Sequence, residues 1–110
     1  MKKKIYSILN ELGVSFNLLG RQYIVSAVLL IYKNGRVPVT REVYPQVATE
    51  FNTTSSRVER AIRHAIEKIF SNGNIDAIGK FFGINIDFHK GKLTNTDFLY
   101  GIVEYLIINN

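Results

Sequence analysis

Apolar residues recur along the chain at spacings of three and four, and asparagine and glycine punctuate the runs. Ile5, Ile8, Leu9 and Leu12 predict a first helix over residues 2–12, stopped at Gly13. A short linker, VSFNLLG, follows. Residues 21–33 are apolar around most of a helical surface and predict a second helix ended by Asn34-Gly35, although their Val and Ile content also suits a strand. Val37-Pro38-Val39 reads as extended. Thr40 is placed to cap a third helix over 41–51, with Pro45 either kinking it or marking a true start near Tyr44. Residues 55–71 form the fourth helix, closed by Asn72-Gly73-Asn74 with a residue suited to a left-handed cap. A fifth, 75–82, carries Ile75, Ile78 and Phe82 on one face and ends at Gly83. INIDFHKGKLTN reads as a loop with room for a short extended piece. Thr94-Asn95-Thr96-Asp97 opens the last helix, which sets Phe98, Ile102, Tyr105 and Leu106 at helical spacing. Six helices without a convincing sheet predict an all-α fold, with no internal repeat or linker and hence one domain over 1–110.

The chain has 110 residues and is 46% hydrophobic, enough to bury a core without staples. It lacks cysteine, which excludes disulfides and thiolate metal sites. The net charge of +5 owes three units to Lys2, Lys3 and Lys4, so the remainder is only +2 and the placement of charge matters more than its sum. Tyr23 to Tyr32 is an apolar run of ten residues, whereas a spanning helix needs roughly 20. The MKKK start is followed by Asn10 and Glu11 and by no small-residue cleavage site, unlike a secretory signal. A soluble, cytoplasmic protein is expected.

Charge is organised in the fourth helix. At 3.6 residues per turn, Val58, Ala61, Ile62, Ala65, Ile66 and Ile69 make one apolar stripe. Ser56, Arg57, Arg60, Arg63, His64 and Glu67 take the other side. Ser56 and Glu59 have capping-box spacing, with Thr54 and Ser55 as competing caps. Any amphipathic helix exposes charge, and a solvated face is the ordinary reading. The preceding residues point further. Val47, Ala48 and Phe51 are apolar, and the small Ala48 permits close helix approach. Asn52 tolerates the left-handed backbone of a sharp turn, and Val58 and Ala61 can pack back. That is helix-turn-helix spacing, in which the second helix enters the major groove of DNA. Arginine supplies a two-pronged donor for guanine or phosphate that lysine lacks. Glu59 suits either a cytosine amino group or an ion pair with Arg63 at i+4. Thr53, Thr54 and Ser55 sit at the helix start, where phosphates are held.

FNTTSSRVERAIRHAIE, followed by NGNIDAIGKFFG, strongly resembles the DNA-binding effector domain of the stage 0 sporulation protein A family, response regulators that commit endospore-forming bacteria to sporulation. The resemblance runs from ELGV (11–14) through VYP (43–45) to TNTDF (94–98), is nearly verbatim in the recognition segment and diverges in the first half. It implies a six-helix fold with a helix-turn-helix that reads promoter boxes of the TGNCGAA type on double-stranded DNA, often as a tandem homodimer. It further implies that Arg57, Glu59 and Arg60 read bases while Arg63 and His64 face the DNA backbone. Residues 73–86, with Gly73, Ile75, Phe82 and Ile86, match the region that meets RNA polymerase sigma factor. The last helix matches the dimer element. The family's receiver domain is absent from this sequence, so an effector domain without a receiver is expected. The alternative is a receiver-less homologue acting as a protein-interaction module, or as a competitor of a full-length regulator.

Enzyme chemistry has little to stand on. The two histidines are His64, in the arginine stripe, and His89, in a loop near Asp87. No Gly-rich phosphate loop, metal-spaced cluster or nucleophile–base arrangement is present, so no catalysis and no cofactor are expected. The thirteen Phe and Tyr fall mostly at apolar helix positions and predict core packing over base stacking.

Overall fold

The computed structural model describes residues 1–72, 74–83 and 93–109. The expectations placed on Gly73, on Ile86, on His89 and on the loop piece within 84–92 lie outside the described residues. Among the described residues the chain is all helical. The helices are α1 (Lys2–Glu11), α2 (Leu19–Asn34), α3 (Tyr44–Glu50), α4 (Ser55–Asn72), α5 (Ile75–Phe82) and α6 (Asn95–Ile108). No described helix is long and apolar enough to cross a membrane.

Residues 21–33 are helical, and the strand alternative is ruled out. α2 buries nine residues, among them Tyr23, Ile24, Val25, Ala27, Val28 and Ile31, which makes it the central strut. It packs against α1, α3, α4 and α6. The helix starts at Leu19 and so takes in Gly20, which the sequence pattern assigned to the linker. A Cβ built on Gly20 would lie 2.3 Å from the Ala61 carbonyl oxygen and 3.2 Å from the Ala65 Cβ. The bare backbone is what lets α2 lie directly on α4.

Arg21, the next residue, is buried. Its guanidinium donates to the Val14 carbonyl at 2.8 Å and to Asn10 Oδ1 at 2.9 Å, and it lies 5.0 Å from the centre of the Tyr6 ring. This cation stitches the end of α1 and the following linker onto α2, and it is spent on structure. α5 is tied to the same end of α1. Lys80 meets Glu11 at 3.1 Å, and Asn74 Nδ2 donates to the Glu11 carbonyl at 2.8 Å. Phe81 and Phe82 then pack against Tyr105 and Phe98 of α6, with ring centres 4.8 and 5.1 Å apart.

Before α3 the chain makes one wide π-type turn, Val39–Val43. Thr40 does not cap a helix at Arg41. Pro38 is extended and leads in, and the Tyr44 amide bonds back five residues to the Val39 carbonyl. Pro45 has no N–H to give and its ring crowds the carbonyl four residues back, so a regular α-helix running unbroken through Arg41 and Pro45 is disfavoured. Of the two readings of Pro45, the start near Tyr44 is the one observed, with the proline in the first turn of α3.

Candidate nucleic-acid interface

α3 and α4 form the helix-turn-helix. Tyr44, Val47 and Ala48 are the buried residues of α3, and Ala48 supplies the small contact. Phe51 ends the helix with its ring edge-on to Tyr23, centres 5.1 Å apart. Asn52 then takes φ +54°, the only positive φ among described non-glycine residues. Asparagine accepts this left-handed state because its short polar side chain compensates locally. The reversal is closed by the Thr53 amide, which donates to the Ala48 carbonyl at 2.9 Å.

α4 starts by a different device from the one its sequence spacing predicts. Three hydroxyl residues in a row compete for the cap, and Thr54 takes it. Its Oγ1 accepts from the Arg57 amide at 3.2 Å, so Ser55 becomes the first helical residue. With the cap two residues earlier than Ser56, Glu59 is out of register for the reciprocal bond. It pairs with Arg63 instead, at 2.5 Å. The amides of Ser55 and Ser56 have no acceptor within the helix, which leaves two donors at its positive end.

Val58, Ile62, Ala65, Ile66 and Ile69 of α4 are buried and Ala61 is half-buried, as the apolar stripe predicts. At about 100° per residue, Arg60 lies opposite the centre of that stripe, with Arg57 and Arg63 roughly 60° to either side. Arg57, Arg60, Arg63 and His64 are all exposed. Among the described residues, neither Arg57 nor Arg60 makes an ion pair. Glu59 sits at the edge of this face, half-exposed against Arg63. Thr53 and Ser55 are half-buried and Thr54 is exposed, all three at the turn that leads into α4.

A brace holds the motif from behind. Asn95, at the start of α6, donates to Tyr44 Oη at 3.0 Å and to the Glu59 carbonyl at 3.0 Å. Burial pushes the Tyr44 hydroxyl above its ordinary pKa, against the lowering effect of the bond from Asn95, so it stays a neutral phenol. Neither residue is marked as functional by the sequence pattern. VYP and TNTDF stand out there only through resemblance, because the pairing joins positions 51 residues apart.

The positions matched to sigma-factor contact divide. Ile75 is 61% exposed at the start of α5, while Phe82 is half-buried against Phe98 and α6. Gly73 and Ile86 lie outside the described residues. On α6, Ile107 and Ile108 are exposed at the helix end.

A protein-family model described as sporulation initiation factor Spo0A C terminal matches residues 5–106, from the first buried residue of α1 to the last of α6. With the helix-turn-helix in place and its arginines facing outward, the chain belongs to this family of C-terminal DNA-binding effector domains of the sporulation regulator.

Proposed function

We propose that this domain is a sequence-specific transcription regulator that reads a promoter box with α4 in the major groove of duplex DNA. The observation that carries the reading is the outward face of α4. Arg57 and Arg60 stand exposed and without an ion pair among the described residues, on a helix whose opposite side buries Val58, Ile62, Ala65, Ile66 and Ile69. In this reading Arg57 and Arg60 address guanine edges by paired hydrogen bonds, and Glu59 accepts from a cytosine amino group once Arg63 turns to a phosphate. Thr53, Thr54, Ser55, Arg63 and His64 hold the flanking backbone, helped by the two open amides at the start of α4. Ile75, exposed beside these elements in sequence, is the best placed of the proposed sigma-factor contacts. A homodimer on tandem boxes would use α6, where Ile107 and Ile108 leave apolar surface open.

Titration of the protein against a duplex carrying a TGNCGAA-type box, and against a scrambled duplex, tests the reading. Tighter binding to the box is expected. Raising salt from about 50 to about 200 mM should weaken both complexes at least about tenfold, because each neutralised phosphate releases counterions. Absence of any shift would favour the protein-interaction alternative. Binding indifferent to salt would contradict groove docking.

A further inference from the structure

α6 opens with Thr94-Asn95-Thr96-Asp97, and helix capping accounts for only part of it. Thr94 Oγ1 accepts from the Asp97 amide at 3.1 Å, which makes Thr94 the cap and puts an acid in the positive first turn. Asn95 contributes nothing to that arrangement. Its side chain turns away from its own helix and spends both amide protons elsewhere, one on Tyr44 Oη and one on the Glu59 carbonyl.

The two acceptors belong to the two helices of the DNA-binding motif. Tyr44 is the first residue of α3, and Glu59 lies on α4 immediately before Arg60. The Glu59 carbonyl already faces the Arg63 amide within the helix, and a carbonyl has a second lone pair. The bond from Asn95 is therefore an addition to helix α4, not a requirement of it. Its effect is geometric: one planar amide sets the distance from α3 to the turn of α4 that presents Arg60.

We propose that Asn95 is a positioning residue for base recognition, fixing the rotation and height of the Glu59–Arg60 turn over the groove. The inference rests on the proposed function above. Paired hydrogen bonds to a base edge tolerate little displacement, whereas phosphate contacts made by long flexible side chains tolerate much more. Loss of the brace should therefore cost specificity more than attraction to DNA.

The test measures Asn95→Ala and Tyr44→Phe against the matched and scrambled duplexes at one salt concentration, well below each variant's thermal midpoint. Asn95→Ala should lower affinity for the matched duplex about tenfold and leave the scrambled duplex within about twofold. Tyr44→Phe, which removes one of the two bonds and keeps the ring, should lower the same ratio by less. If Asn95→Ala does not fold, the Tyr44→Phe ratio decides. A reduced thermal midpoint with an unchanged ratio would make Asn95 a purely structural brace and overturn the proposal. Equal losses on both duplexes would overturn it too. A wild-type protein with no preference between duplexes would bring down the function reading itself, and this inference with it.

Discussion

Arg60→Ala should weaken binding to the matched duplex by about 1–3 kcal/mol and flatten discrimination at a single base pair. The side chain projects from the middle of the exposed face of α4, opposite Val58, Ile62 and Ile69, and among the described residues it makes no ion pair. The substitution should not harm the fold. Alanine is the best helix former, and the position is solvent-exposed. Affinity loss should therefore come with an unchanged or slightly raised thermal midpoint. Changing the matched base pair should recover the mutant's relative standing at one position of the box and at no other. Equal affinity of mutant and wild type across a panel of single-base variants would remove Arg60 from the recognition set.

Gly20→Ala should destabilise the protein by about 1–3 kcal/mol, although alanine is intrinsically the better helix former. The obstacle is backbone, not a yielding side chain: the new methyl would sit 2.3 Å from the Ala61 oxygen and 2.9 Å from the Ala61 carbonyl carbon. Relief requires α2 and α4 to move apart, and that shift would loosen the α4 residues packed on the central strut. For a chain of this size the thermal midpoint should fall by roughly 5 °C or more. Urea denaturation followed by circular dichroism would measure the loss directly. A variant as stable as wild type would mean that the two helices do not meet as closely as the structure places them.

The parts of the fold legible in the sequence are those written in local periodicity. The apolar stripe of α4 repeats often enough to fix both its helical state and its buried side, and Asn52 names the turn because few residues accept a positive φ. Competition among neighbours is harder to read. Thr54, Ser55 and Ser56 are all good caps, and only the path of the incoming turn decides for Thr54, which in turn frees Glu59 to meet Arg63. Pro45 leaves two readings open, and the wide turn ahead of it, closed by the Tyr44 amide on the Val39 carbonyl, is not something apolar spacing locates. Gly20 reads as linker punctuation because glycine usually marks an interruption, yet here it marks a close crossing. Of the interface, the exposure of Arg57, Arg60, Arg63 and His64 was legible. The brace from Asn95 was not, because nothing in a polar helix start says which distant carbonyl it will reach.

Whether α4 occupies the major groove can be asked of the DNA itself. Dimethyl sulfate methylates guanine at N7, an atom on the major-groove edge where a recognition arginine would donate. With the matched duplex saturated by protein, the guanines of the box should be protected, and Arg60→Ala should restore reactivity at one of them. A saturated complex in which every guanine N7 reacts as it does in free duplex would show that the arginine face of α4 does not enter the groove.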